Sequence, residues 1–165
     1  SENDPEDVAL RQKILDFVEE ARPHVDDIAW SYATNGVHNI PFNLAKERTE
    51  TYQDNDITLV NNDGKGLDSG FLKNIYDADP DHVILIGVYF EACSADTAST
   101  IKSNLDVHVS VPMDMTNSAM PPFKTHYDAQ AKRLSDQGID VTSSSKDLLD
   151  EIIRNNNNRG FTVFN

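Results

Sequence analysis

The stretch HVILIGVYFEACSADTAST, residues 82–100, decides the fold. Residues 83–88 are aliphatic or glycine without polar alternation, which is typical of a strand buried on both faces of a parallel sheet. Residues 94–104 have helical spacing, with small or aliphatic side chains three residues apart. Cys93 is therefore predicted to lie between a strand and a helix N-terminus, where free N–H groups and the helix dipole favour a thiolate.

Strand and helix patterns alternate on both sides of this stretch. Further strands are predicted at residues 27–33, 57–60, 107–111, 139–142 and 160–165, and helices at 6–22, 71–76, 124–137 and 145–154. Such alternation implies crossover connections and a sheet that is covered on both faces. We therefore predict one α/β domain over residues 1–165, with three α/β/α layers and a mainly parallel central sheet of about six strands.

The composition limits the kinds of binding partner and the cellular compartment that we expect. With 28 acidic and 14 basic residues the chain has a formal charge of −14, which disfavours nucleic acid and anionic membrane surfaces as partners. The apolar runs are too short to cross a bilayer, no targeting signal is visible, and one cysteine cannot form an internal disulfide. We therefore expect a soluble, cytoplasmic protein.

The sequence around the cysteine resembles the isochorismatase-like cysteine hydrolases, the family of nicotinamidases and N-carbamoylsarcosine amidohydrolases. Their hallmark is a strand ending in Gly-Val, four residues, a nucleophilic cysteine and a Thr-Ala pair in the next helix. The matching positions are Gly87, Val88, Cys93, Thr97 and Ala98. The stretch KGLDSGF has the family's spacing of a lysine six residues ahead of a phenylalanine, and an acidic turn at Asp114 continues the likeness.

The resemblance implies a site that is built from two loops. Cys93 would be the nucleophile, and the ammonium group of Lys65 would lower the pKa of its thiol. The backbone amides of Tyr89 and Cys93 would hold the oxyanion, while Phe71 and Phe90 would line the pocket. We expect Lys65 and Cys93 on loops that leave adjacent parallel strands, with the ammonium and the sulfur about 4–6 Å apart.

The chain departs from the family at one strand. The family's first strand, which ends in an Asp-x-Gln motif in the middle of the sheet, is missing from the start of the sequence. The tail FTVFN has a suitable length and apolar character, so residues 159–165 are predicted to supply this central strand, as in a permuted chain or a fragment. Asn165 then stands at the aspartate's place, and an amide cannot accept a proton. Asp4 is the nearest substitute carboxylate.

Two functions are compatible with these residues. The first is a cysteine hydrolase that cleaves a small amide, ureido or related C–N substrate through a covalent intermediate on Cys93. The second is a protein of the same fold that has lost turnover and has a binding or structural role, with Asn165 as its mark. We expect a small-molecule substrate and a homo-oligomer, without nucleic acid or membrane. Metal-using relatives cluster Asp and His ligands, and His38 lacks such neighbours, so no metal or other cofactor is predicted.

Overall fold

The computed structural model describes residues 5–33, 57–61, 69–87, 90, 94–118, 124–155 and 161–164. Helices and strands alternate along these ranges in the order α1 (Pro5–Ala21), β1 (Asp27–Ala33), β2 (Ile57–Asn61), α2 (Ser69–Ala78), β3 (His82–Leu85), α3 (Ala95–Asn104), β4 (His108–Ser110), α4 (Lys124–Asp136), α5 (Ser145–Arg154) and β5 (Phe161–Phe164). Short 3-10 helices lie at Arg22–His24 and Met113–Met115.

The described strands form one five-stranded parallel sheet in the order β2-β1-β5-β3-β4. Strand β5 lies in the middle, where Val163 is in register with Ile28 of β1 and with Ile84 of β3. The mainly parallel α/β architecture predicted from the sequence is thereby confirmed.

The sixth strand that the sequence predicts at residues 139–142 is reduced to one bridge between Asp140 and Ser110, so the six-strand count is not confirmed. The carboxylate of Asp140 explains the difference. Its Oδ1 atom accepts the N–H groups of Thr142 and Ser143 at 2.9 Å and 3.1 Å, which turns the chain away from β4.

Helices cover both faces of the sheet, because successive strand residues point to opposite sides. One face packs against α1 and α5 through Leu10, Ile14, Phe17, Val18, Ala21, Ile28, Ile84, Ile86, Leu148 and Ile152. The other face packs against α2, α3 and α4 through Ala29, Ile75, Val83, Leu85, Ala95, Ala98, Ile101, Val109 and Leu134. The domain therefore has the three layers that the alternating pattern predicts.

Local signals in the sequence set the helix ends. The hydroxyl of Ser144 accepts the N–H of Asp147 at 3.1 Å, and the Asp147 carboxylate accepts the N–H of Ser144, which forms a capping box at the start of α5. Helix α4 ends just before Gly138, whose φ of 81° is in the left-handed region that favours glycine. None of the helices in the described ranges combines the length and the apolar character that a bilayer crossing needs.

Candidate functional site

The topology favours a ligand at the carboxyl ends of the central strands. From β1 the sheet extends to β2 on one side, and from β3 it extends to β4 on the other, so the order reverses between β1 and β3. Open parallel sheets bind ligands outside the carboxyl ends of their strands at such a reversal. Here β5 occupies the reversal, with Phe164 in register with Ala29 and Leu85. The chain that follows Leu85 therefore leaves β3 at the favoured edge.

Residues 88–93, which include the only cysteine, run between two anchored positions. Gly87 has a φ of 119°, a conformation that side-chain-bearing residues rarely adopt, and it turns the chain out of the strand direction. Its N–H donates to the carbonyl of Met115 at 3.0 Å. Its own carbonyl accepts the hydroxyl of Ser94 at 3.2 Å, and Ser94 is buried. The end of β3 and the start of α3 are thus joined directly across this segment.

Phe90 is the one described residue inside that segment. Its N–H donates to the carbonyl of Asn117 at 2.9 Å. Its ring is fully buried and lies 4.7 Å from the ring of Tyr127, measured between centroids. Phe90 therefore fastens this part of the loop to the core, and its predicted role in lining a pocket stays a prediction.

The N-terminus of α3 contributes a positive electrostatic potential at the carboxyl edge of the sheet. Ser94 precedes the helix with helical backbone angles, and its side chain does not cap the first turn because its hydroxyl binds Gly87 instead. The first N–H groups of a helix have no partners within the helix, and its dipole is positive at this end. Asp96 lies in the first turn, where its Oδ1 accepts the Nη2 group of Arg133 at 3.0 Å. This helix end is therefore suited to stabilising a nearby negative charge.

The segment after β4, which contacts Gly87 and Phe90, contributes further polar side chains. Asp114 accepts both the N–H of Ser145, at 2.9 Å, and the hydroxyl of the same residue. Thr116 is 6% exposed, and its hydroxyl has no hydrogen-bond partner. A buried hydroxyl without a partner carries a desolvation cost, so Thr116 is a candidate contact for a water molecule or a ligand.

Two solved structures are similar to this chain over most of its length. The MAR1 ribonuclease from Caenorhabditis elegans superposes with a TM-score of 0.67 at 14% identity, over 93% of this chain and 73% of that protein. The nicotinamidase SaPncA from Staphylococcus aureus superposes with a TM-score of 0.62 at 15% identity, over 80% of this chain and 83% of that enzyme. Both are isochorismatase-like folds. This chain has the isochorismatase-like fold. No protein-family model matches it, and no curated protein sequence is a significant match.

Most of the site residues predicted from the sequence lie outside the described ranges of this isochorismatase-like domain. This holds for the nucleophile and the lysine, for both oxyanion positions and for both candidates for the third position: Cys93, Lys65, Tyr89, Asn165 and Asp4. Phe71 lies in α2, within its first turn. The roles assigned to these side chains therefore stay predictions, and the described part of the site is its backbone frame.

One expectation about the arrangement is wrong. The sequence predicts that the lysine loop and the cysteine loop leave adjacent strands, but β2 and β3 are separated by β1 and β5. Neighbouring strands lie about 4.8 Å apart, so the two strand ends are about 14 Å from each other. Contact between Lys65 and Cys93 therefore requires the loop after β2 to cross the ends of both central strands. Strand order depends on long-range pairing, which the spacing of a local motif does not reveal.

A second group of polar side chains lies on β3 and β4, beginning at the first residue of β3. The Nε2 atom of His82 is 2.7 Å from the hydroxyl of Ser110, which donates in turn to the Asp140 carboxylate at 3.4 Å. The ring of His108 lies beside that of His82, with centroids 5.9 Å apart. Burial lowers the pKa of His82, Glu151 and Asp140 oppose this effect, and His108 adds to it.

The carboxylate of Asp140 completes this group. Burial acts against its charge, but hydrogen bonds from Ser143 and Thr142 outweigh burial and lower the carboxyl pKa to about 2. In the part of the chain that the structure describes, no three His, Cys, Asp or Glu side chains are arranged to hold a metal ion. The group is therefore a hydrogen-bonded link between β3, β4 and the turn at Asp140.

Several residues of the backbone frame have no recognisable signal in the sequence. Met115 and Asn117 contribute only their carbonyl groups, and every residue has a carbonyl, so their side chains give no indication of the contact. Ser94 and Thr116 have common side chains whose roles depend on burial. Asp114 was visible as an acidic turn, but its partner Ser145 is 31 positions away in the sequence.

Proposed function

We propose that this chain is a cysteine hydrolase that cleaves a small amide, ureido or related C–N bond, with Cys93 as the nucleophile. The observation that carries the proposal is the pair of anchors at Gly87 and Ser94. They hold both ends of the segment that contains Cys93 next to the central strand β5. The similarity to a nicotinamidase, an enzyme named for its action on an amide, supports the same chemistry.

In the proposed reaction the thiolate of Cys93 attacks the carbonyl carbon, and the carbonyl electrons move to oxygen to form a tetrahedral oxyanion. Backbone N–H groups, which we assign to Tyr89 and Cys93, stabilise that oxyanion. The C–N bond then breaks as the proposed base, Asp4, passes the proton that it took from the thiol to the nitrogen, which leaves as the amine. Water attacks the remaining thioester, which releases the acid product and regenerates the thiol. Lys65 is assigned to keep the pKa of the thiol low.

The proton acceptor separates this proposal from the alternative, a protein of the same fold with a binding or structural role. The observation that favours the alternative is Asn165, an amide at the position where the resemblance expects an aspartate. Turnover therefore requires another carboxylate, for which we propose Asp4. A ribonuclease also has this fold, but a charge of −14 on this chain disfavours a nucleic acid substrate.

The reactivity of the cysteine tests the proposal directly, because the chain has only one. We expect iodoacetamide to label the folded protein at pH 7 at least about tenfold faster than free cysteine, since an activated thiol has a pKa below the usual 8.5. The measurement is intact mass against time across pH, with Lys65→Met expected to raise the apparent pKa. Labelling at the rate of free cysteine, unchanged in Lys65→Met, would contradict the assignment.

Turnover is tested with a panel of small amides and ureido compounds that includes nicotinamide. We expect ammonia or amine release by the wild-type protein and none by Cys93→Ala. Asn165→Asp is the decisive comparison. If turnover appears only in Asn165→Asp, the wild-type chain is the binding protein of the alternative. If wild type is active and Asp4→Asn is not, the hydrolase with Asp4 as base is supported.

We also propose that the protein is a homo-oligomer in solution. Light scattering measures its mass directly, and a monomer of 18.4 kDa at micromolar concentration would contradict this part of the proposal.

A further inference from the structure

The backbone that leads from β3 toward Cys93 is held at two positions by a segment that contains no predicted catalytic residue. This segment, residues 113–117, follows β4. It accepts the N–H of Gly87 at the carbonyl of Met115 and the N–H of Phe90 at the carbonyl of Asn117, at 3.0 Å and 2.9 Å. These hydrogen bonds lie outside the regular strand pairing. The path of the loop therefore depends on where residues 113–117 are fixed.

Asp114 fixes this segment to two helices. One carboxylate oxygen accepts the N–H of Ser145, the first residue of α5, and the other accepts the hydroxyl of the same residue. The ammonium group of Lys13 on α1 donates to the Asp114 carbonyl at 3.0 Å and lies 3.8 Å from the carboxylate. The next residue, Met115, is 1% exposed and packs into the core beneath α1 and α5.

The geometry of Asp114 is more important here than its charge. Its contact with Lys13 is exposed to solvent, and exposed ion pairs contribute little. The two bonds to Ser145 are different, because both carboxylate oxygens bind one residue and thereby set the orientation of the whole side chain. A carboxylate at the N-terminus of a helix is also favoured by the free N–H groups and by the dipole.

We infer that Asp114 is a positioning residue for the cysteine loop: it holds residues 113–117 against α1 and α5, and this segment holds the backbone at Gly87 and Phe90. The inference about the backbone stands on these contacts alone. Its consequence for catalysis rests on the proposed function, because it assumes that Cys93 is the nucleophile whose N–H donors must be aligned.

Amide hydrogen exchange tests the inference, with Asp114→Asn compared with Asp136→Asn. Asp136 is a matched control, since it also accepts a lysine ammonium, Lys132 at 2.7 Å, but lies on the exposed side of α4. We expect exchange at the N–H groups of Gly87 and Phe90 to become about tenfold faster in Asp114→Asn and to be unchanged in Asp136→Asn. Faster exchange confined to the first turn of α5 would overturn the inference.

A milder pair of variants keeps the test decisive if Asp114→Asn does not fold. Ser145→Ala removes only the hydroxyl and leaves the backbone N–H bond to Asp114, so exchange at Gly87 and Phe90 should increase less, in the same pattern. Asp114→Glu keeps the charge and is expected to restore part of the protection. Equal exchange at Gly87 and Phe90 in Ser145→Ala and wild type would count against the inference.

The chemical consequence is read from the pH profile of Cys93 alkylation, which a purely structural role of Asp114 would not move. We expect the apparent thiol pKa to rise in Asp114→Asn and to keep its wild-type value in Asp136→Asn. A wild-type protein whose Cys93 reacts like free cysteine would contradict the proposed function only. The exchange comparison would then still decide whether Asp114 holds the backbone.

Discussion

The two ends of strand β3 use polar groups in opposite ways. At its start, His82, Ser110 and Asp140 are linked side chain to side chain, so each polar group has a partner within the same small cluster. Beyond its end, Gly87 and Phe90 are held through their main-chain N–H groups. The start of β3 is therefore sensitive to residue type and to pH, whereas its end is sensitive to the path of the backbone.

The two ends of β3 also differ in whether their polar groups already have hydrogen-bond partners. At the start of β3, the side chains of His82, Ser110 and Asp140 are hydrogen-bonded to one another. At the carboxyl edge, the buried hydroxyl of Thr116 has no partner, and the hydroxyl of Ser94 does not cap the first turn of α3. Polar groups that are left without partners at a topological reversal are candidates for contact with a water molecule or a ligand.

The largest expected effect comes from removing the side chain that fastens the end of β3. Phe90→Ala deletes a fully buried ring that packs on Tyr127, and we expect it to lower the free energy of unfolding by about 3–4 kcal/mol. Urea denaturation measures the loss. Phe90→Leu, which keeps most of the volume, should lose about 1 kcal/mol. A loss below about 1 kcal/mol in Phe90→Ala would mean that the ring does not anchor the loop.

A smaller change in stability, confined to a limited pH range, is expected at the start of β3. Because burial lowers the pKa of His82 in the folded state, the unfolded chain binds the proton first as the pH falls below about 6.5. Wild-type stability should therefore decline from about pH 6.5 down to the folded pKa of His82. His82→Gln keeps an N–H donor for Ser110 and removes the titration, so the decline should become shallower.

The matched control for this prediction is His126→Gln, on the exposed side of α4, which leaves His82 in place. We expect it to keep the wild-type slope in denaturation curves between pH 8 and pH 5. Identical slopes in His82→Gln and wild type would show that His82 does not make the stability depend on pH. The two ends of β3 would then not differ in their sensitivity to pH.

The smallest expected change in stability tests the carboxyl-edge side of the comparison. Thr116→Val removes a buried hydroxyl that has no partner, and we expect stability to stay constant or rise by about 1 kcal/mol. The control is Thr100→Val, whose hydroxyl donates to the Asp96 carbonyl at 2.8 Å, and which should be neutral or slightly destabilised. Destabilisation by Thr116→Val would mean that the hydroxyl already binds a water molecule, as the groups at the start of β3 bind each other.

The sequence predicts well those elements whose limits are set by nearby residues. Strand β1 and helix α5 have the predicted bounds, and in α5 the reason is visible in the capping pair Ser144 and Asp147. Strand β3 ends at Leu85, earlier than the predicted residue 88, because Gly87 takes a positive φ and leaves the strand direction. An apolar pattern continues through such a turn and does not reveal it.

The candidate site is less visible in the sequence than the fold. The motif around Cys93 suggested a nucleophile, but the order of the strands that bring the loops together is a property of long-range pairing. The contacts that hold the loop are made by main-chain groups of Met115 and Asn117, and by Asp114 through a residue of a different helix. The two main-chain contacts do not depend on which side chains Met115 and Asn117 have. No local pattern could therefore have predicted them.

The central place of β5 has a consequence for how the protein is made. On the ribosome, the pairs β1–β2 and β3–β4 are complete before residues 161–164 exist, and neither half can pair with the other across the missing strand. At roughly 5–20 residues per second, the nascent chain spends about 3–10 s between completing β4 and completing β5. During that time each half-sheet exposes an edge that invites pairing with other chains. The period in which the two inner edges are unpaired therefore ends only when this last strand of 4 residues is complete.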